Sequence, residues 1–387
     1  MAQSCHVAAS RAASTMIDDI NLAQDLLLRS EHLRGARIRA VAQLAGDMST
    51  RRYVRVALDH SPVPSVLLVV LSGAPGPVGG GPRGLTQDDT YCEVSKFLSE
   101  AAIRVPEIVV DGRERRALLL EDVGNVSLLT AAQNQNTLSE LLPAAVLGAD
   151  PLFTLFAKAL ELQGALMQLK YDDSVVVYQR RVTDEQRAVQ IREFLEYYAR
   201  PRGLSKTACA VVERLMDRVC CHVAAHPQQV AHFDFMAANI HVLPNGELCL
   251  IDFQDMCLDS PARDVVSLLN DRGMDEAIGC ERQQRLLAGY LQQQHVCPTF
   301  AALYDEYLLL WDFRVSGRFA LLAEQRGVTR YATWIPGTLG RLGRTLARLQ
   351  ESWPEAHQAL VVLTEFSPEI ERGSCSPWGG VPIRPMP

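Results

Sequence analysis

His232-Phe233-Asp234-Phe235-Met236-Ala237-Ala238-Asn239-Ile240, with Ile251-Asp252-Phe253-Gln254-Asp255 shortly after, decides how this chain is read. Asp234 and Asn239 stand five residues apart, and Asp252 follows thirteen residues later. Residues 240–243 and 247–251 read as two short strands joined at Pro244-Asn245-Gly246, a tight hairpin turn. Nearly equal arms on that turn are expected to return Asn239 and Asp252 to one end of the hairpin, beside Asp234. Three oxygen-bearing side chains would then converge, two of them carboxylates.

That donor set suits phosphoryl transfer. A hard cation such as Mg²⁺ takes oxygen ligands, commonly one or two carboxylates, and completes its shell with water and nucleotide phosphates. The H-x-D-x-x-x-x-N spacing is that of a kinase-type catalytic loop. Asn239 and Asp252 are therefore the candidate metal ligands. Asp234 is the candidate base, placed to accept the proton of an attacking hydroxyl. Asp and Asn are common at turns, so an ordinary loop explains either half alone. Both halves in this order favour the chemistry.

Composition bounds the reading. The 387 residues can hold two or three domains, and the 48% hydrophobic and 21% charged fractions are those of a globular protein. A net charge of −7 without a long basic run argues against nucleic acid as a partner. No apolar run has transmembrane length, and residues 1–15 carry no apolar core of a secretory signal. The ten cysteines lack a C-x-x-C pair, which suggests buried thiols in a reducing compartment. A cytoplasmic protein that engages neither membrane nor nucleic acid is expected.

Upstream, residues 16–33 have helical apolar spacing, while 38–44, 50–58, 63–71, 105–110 and 117–120 read as five strands. A helix over 88–101 falls among them. The Gly46-Asp47-Met48-Ser49 turn offers backbone N–H groups and a hydroxyl of the kind that receives phosphates. The Gly- and Pro-rich stretch 72–84 lacks a Gly-Lys-Ser/Thr and reads as a surface loop. From 139 onward the pattern is helical, with 152–169 expected to be the central helix. The predicted fold class is α+β: a small five-stranded antiparallel N-lobe and a larger, mainly helical C-lobe. Residues 1–15 and 367–387 are expected to be disordered, with the N-lobe over 16–122 and the C-lobe over 123–366.

The catalytic stretch, Gly46-Asp47-Met48-Ser49-Thr50-Arg51-Arg52-Tyr53 and Leu118-Leu119-Leu120-Glu121-Asp122-Val123-Gly124 together resemble the aminoglycoside phosphotransferase/choline kinase superfamily. They look most like its anomeric N-acetylmuramate/N-acetylglucosamine kinases of cell-wall recycling. The resemblance implies a protein-kinase-like fold, ATP and Mg²⁺ as cofactors, and a small-molecule sugar as acceptor. By position, Gly46, Asp47, Ser49, Arg51 and Tyr53 would receive nucleotide phosphates, and Glu121, Asp122 and Val123 would form the adenine hinge. Asp264 would hold the catalytic loop's backbone. Gln254 and Asp255 are candidates for binding sugar hydroxyls, or simply a turn; Arg314 and Arg318 suit a carboxylated acceptor.

One departure stands out. The strand over 63–71 carries no lysine to grip the phosphates, and Lys96 is the first lysine in the chain. Arg51, Arg52 or Arg55 could supply that charge. Three other readings compete: a different small alcohol such as an aminoglycoside or choline, a non-catalytic nucleotide binder, and a metal hydrolase built on His222, His226, His232 and Asp234. Pro227 and the absence of a glutamate between His222 and His226 speak against the last.

Overall fold

The computed structural model describes residues 16–44, 51–74, 85–143, 148–293 and 299–370. Two compact units emerge. One gathers the chain through Asn125 together with Cys249–Asp255; the other gathers Val126–Leu248 and the chain from Met256 on.

The first unit is built on a five-stranded antiparallel sheet: β1 Arg37–Gln43, β2 Arg52–Asp59, β3 Ser65–Val70, β4 Ile108–Gly112 and β5 Ala117–Glu121, in the order β1-β2-β3-β5-β4. Helix α1 spans 16–27 and α2 spans Gln87–Glu100. Strand β5 is buried on both faces, which explains its unbroken apolar run. Ala117 and Leu119 join Val54, Val56 and Leu68 in a core shared with Leu26 and Leu27 of α1. Leu118 and Leu120 point to the opposite face, toward Tyr91 of α2. The period of two thus feeds two cores from one strand. A capping box, Thr86 with Asp89, starts α2. Helix α1 stops earlier than its apolar spacing predicts, in turns after residue 27.

The second unit is mainly helical: α3 Pro151–Met167, α4 Asp184–Glu193, α5 Lys206–Ala225, α6 Ala262–Asn270, α7 Cys280–Leu291, α8 Phe300–Arg326, α9 Ile335–Leu349 and α10 Pro354–Phe366. Short strands β6 Gln229–Ala231 and β9 Cys257–Asp259 pair antiparallel, and β7 Ile240–Val242 with β8 Leu248–Leu250 forms the expected hairpin. Its turn closes as read from Pro-Asn-Gly: Gly246 N donates to Leu243 O at 2.8 Å, with Gly246 at φ +79°.

The central helix is not 152–169. That role falls to α8, which is buried on nearly every face, including Asp305, Glu306 and Asp312. Two of those acids are met by arginines, Asp305 by Arg348 at 2.6 Å and Asp312 by Arg341 at 2.7 Å, while Glu306 faces histidines. After α4 the backbone loosens into a π-helical turn, Phe194–Ala199, pressed against α8 at Gly317. A Cβ at Gly317 would come within 2.2 Å of the Phe194 nitrogen, so only glycine fits. The single helix expected over 274–294 is two, broken at Gly279 with φ +76°. Cys280 is disulfide-bonded, against the expectation of thiols throughout, whereas Cys92, Cys209, Cys220, Cys221, Cys249 and Cys257 are free.

Candidate active site

The loop carrying Asp234 is held from below by buried charge. Asp259 is fully buried and accepts from Arg187 at 2.6 Å, Arg263 at 2.7 Å and the Tyr307 hydroxyl at 3.1 Å. Burial alone would raise the Asp259 pKa; the two guanidinium groups outweigh it and hold the carboxyl below its ordinary range. Arg263 then reaches up to the loop: its Nε donates to Phe233 O at 2.8 Å, and its guanidinium carbon lies 4.0 Å from the Phe233 ring centre. Asp264 fastens the other side, accepting from His232 N at 2.7 Å. Burial pushes the Asp264 pKa up to about 7 despite that donor.

Phe233 sits at φ +80°, a region a bulky residue enters only when its surroundings force it. Its carbonyl and its ring are both held by Arg263 and the preceding N–H by Asp264, so the strain is over-determined. The consequence is local. It sets the direction in which the next residue, Asp234, leaves the chain. Past Asp234 the loop folds on itself: Met236 N donates to Asp234 O at 2.8 Å, and Asn239 Nδ2 donates to the same oxygen at 2.9 Å. With its amide nitrogen committed to the loop, Asn239 has its side-chain oxygen left as a ligand atom. Asp234 and Asn239 are thereby brought together.

Asp252, Gln254 and Asp255 fall in the first unit. Asp252 lies at φ +64°, which aspartate tolerates better than most residues. Gln254 Nε2 donates to Asp252 Oδ1 at 2.8 Å, and Asp255 accepts from Gln87 of α2 at 2.9 Å. Phe253 stacks on Tyr91 of the same helix, with ring centres 4.7 Å apart. The carboxylate of Asp252 is thus steered by its own segment, and that segment is anchored to α2.

Among the nucleotide candidates, Gly46, Asp47 and Ser49 lie outside the described residues. The three arginines named as substitutes for the absent lysine each have a partner. Arg52 pairs with Asp19. Arg55 takes Asp122 in a fork, at 2.6 and 2.8 Å, with Asn125 at 2.7 Å. Arg51 is buried and pairs with Asp88 of α2 at 2.9 Å, while Gly73 N donates to the other oxygen of that carboxylate. Arg51 also meets Tyr53, and both line a cavity of about 10 Å³ beneath β3 and β5. Such a space is close to the least that holds one water, and far too small for a purine. Glu121 is bound by Arg104 and accepts from Glu107 N at 3.1 Å; Val123 follows, half-buried.

On the acceptor side, Arg318 of α8 is paired with Glu193 at 2.8 Å, whereas Arg314 lies 5.9 Å from the Phe233 ring centre and 5.1 Å from that of Trp311. His222 and His226 both face Glu306, at 3.4 and 3.9 Å. No group of three or more His, Cys, Asp or Glu that could hold a metal ion occurs among the described residues. Sequence reasoning missed Asp259 and Arg263 as supports of the loop. Arg263 stands beside the noted Asp264, and that adjacency was the available signal.

Residues 90–310 match the model of the phosphotransferase enzyme family. The chain is similar to the N-acetylmuramate/N-acetylglucosamine kinase of Caulobacter vibrioides, 25% identical over 322 residues, covering 76% of this chain and 84% of that protein. It is also similar to the protein of that name from Neisseria meningitidis, 25% identical over 345 residues, 85% of this chain and 92% of that one. Among solved structures it resembles a choline/ethanolamine kinase family protein from Mesorhizobium loti, with TM-score 0.53, 15% identity, 89% of this chain and 99% of that one covered. An aminoglycoside 2'-phosphotransferase-IIIa, solved as its GDP complex, gives TM-score 0.53 at 13% identity, with 85% of this chain and 99% of that one covered. These matches show the kinase-like fold.

Proposed function

The chain belongs to the phosphotransferase enzyme family, and from that premise we propose that it is an ATP-dependent kinase for the 1-hydroxyl of N-acetylmuramate or N-acetylglucosamine, working in the cytoplasm. The observation that carries the reading is the Asp234 loop, strained at Phe233 and braced by Arg263 and Asp264. A base must hold one direction through turnover, and a loop fixed this way supplies that. Asp234 accepts the proton of the acceptor hydroxyl as that oxygen attacks the terminal phosphorus. The sugar part of the proposal draws on the relatives from Caulobacter and Neisseria, which bear that name.

Asn239 and Asp252 each offer an oxygen, amide and carboxylate, of the kind a hard divalent cation takes, and Mg²⁺ would offset charge on the nucleotide phosphates. Gln254 keeps the Asp252 carboxylate turned to that task. Arg51, steadied by Asp88, serves as the phosphate-gripping cation in place of the lysine. The residues Glu121–Val123 serve the adenine. We assign Asp255 to the support of its segment through Gln87.

The test is direct. Purified protein with Mg-ATP is offered N-acetylmuramate, N-acetylglucosamine, choline and an aminoglycoside, and ADP release and the phosphorylated position are scored. Transfer to the anomeric hydroxyl of an amino sugar is expected. Turnover confined to choline or the aminoglycoside would move the acceptor assignment to that class, and no turnover on any would overturn the kinase reading.

A further inference from the structure

Helix α8 carries two arginines one turn apart, and the structure uses them differently. Arg318 is spent on Glu193. Arg314 makes no hydrogen bond or ion pair with any described residue, and its Nη1 is fully buried without an acceptor. Around it stand two aromatic rings, Phe233 and Trp311, and the Trp311 indole N–H is likewise buried without an acceptor. Phe233 is the residue before Asp234, whose charge reaches Arg314. Among the described residues nothing receives either donor, and Arg314 lies within reach of the charge of the proposed base.

Leaving such donors unmet is costly to a folded protein, the more so when one carries charge. The neighbouring cation does not help: Arg263 also bears on Arg314, and it is already neutralised by Asp259. An acceptor from outside the chain would satisfy both donors, and it should be anionic. A guanidinium fork matches a carboxylate with two parallel hydrogen bonds. A cationic acceptor would instead meet uncompensated positive charge.

We propose that Arg314, with the Trp311 indole beside it, receives a carboxylate of the acceptor, so that the enzyme prefers an acid-bearing amino sugar to its neutral counterpart. This rests on the sugar-kinase reading above. It narrows the carboxylate role expected of Arg314 and Arg318 to Arg314, since Arg318 is paired with Glu193, and adds a preference between the two sugars. N-acetylmuramate differs from N-acetylglucosamine by a lactyl ether ending in a carboxylate, so the two sugars form the natural pair for comparison.

The experiment compares full-length wild type, Arg314→Gln and Arg314→Lys on both sugars with Mg-ATP. Thermal melts establish that each variant is folded, and calorimetry follows N-acetylmuramate binding without nucleotide. Arg314→Gln should lower kcat/KM for N-acetylmuramate roughly 10- to 100-fold, mostly through KM, and leave N-acetylglucosamine within about threefold. Arg314→Lys should recover part of the loss. Equal losses on both sugars would overturn the proposal, since the residue would then serve the phosphoryl group or the fold. A wild type that turns over N-acetylglucosamine but shows no preference for the acid overturns it too, with the sugar-kinase reading intact. Absence of turnover on either sugar counts against that reading instead. In that case N-acetylmuramate binding lost in Arg314→Gln still supports the anion site, and no binding to wild type removes it.

Discussion

The loop around Asp234 and the sheet of the first unit handle charge in opposite ways. Under the loop, one buried carboxylate, Asp259, gathers Arg187, Arg263 and Tyr307, and Arg263 passes that rigidity upward to Phe233. In the sheet, Arg51, Arg52 and Arg55 each take a separate acid: Asp88, Asp19 and Asp122. A shared hub couples its members, so losing one is felt by all. Separate pairs fail one at a time. The contrast fits the roles proposed above, a base that must not move and a phosphate grip that can adjust to nucleotide.

The largest expected effect falls at the loop. Asp234→Asn keeps the size of the side chain but exchanges one acceptor oxygen for an N–H donor and removes the proposed proton acceptor. Turnover should drop about 10²- to 10⁴-fold, with nucleotide affinity by titration nearly unchanged. Near-native turnover would place the base elsewhere and leave the braced loop without the purpose argued for it.

Next come the supports, and here the comparison is tested head-on. Asp259→Ala strands two buried guanidinium groups and should cost about 3–5 kcal/mol in urea unfolding. Asp122→Ala, which frees the partly open Arg55 together with the Ser65 hydroxyl and Gly124 N, should cost about 1–2 kcal/mol. Similar losses at the two sites would erase the distinction between hub and pair.

Within the sheet the distinction sharpens further. Arg51→Ala should raise the KM for ATP about tenfold, as expected for one charged contact to phosphate. Arg52→Ala, a few ångströms along the chain but committed to Asp19 of α1, should leave that KM unchanged. If both raise it alike, the sheet acts through general positive charge.

How much of this could be read beforehand follows from the range over which each signal acts. The hairpin turn was legible because Pro244-Asn245-Gly246 encodes it within three residues. The five strands were legible because β-branched and leucine runs mark them locally. Strands β6 and β9 were not, since three residues each are too few to show a period. The rank of α8 was hidden as well. Its buried acids look solvated until Arg341 and Arg348 are brought back from later in the chain. Arg263 was passed over for the same reason, because its acid partner and its hold on Phe233 are both tertiary. The π-turn after Glu193 had no local mark at all; only the bare Cα of Gly317, on a distant helix, makes room for it.

The smallest predicted effect separates structural charge from catalytic charge. Glu306 of α8 is buried beside His222 and His226, and burial first, then Asp305, pushes its pKa up to about 7 from an ordinary 4.5. A carboxyl whose pKa is higher in the folded chain than in the unfolded one binds its proton more tightly when folded. Its contribution to stability is therefore full below about pH 4.5 and is lost as pH rises through about 7. Glu306→Gln removes that titration, so the fall in stability between those two values should flatten by up to about 3 kcal/mol. Turnover at neutral pH should not change, because Glu306 belongs to neither the Asp234 loop nor its supports. Denaturant midpoints across the pH range check the first half, and steady-state rates check the second. A variant whose pH profile stays as steep as wild type would shift the acid-linked term to Asp264, inside the loop's own bracing, and stability and catalysis would then titrate together.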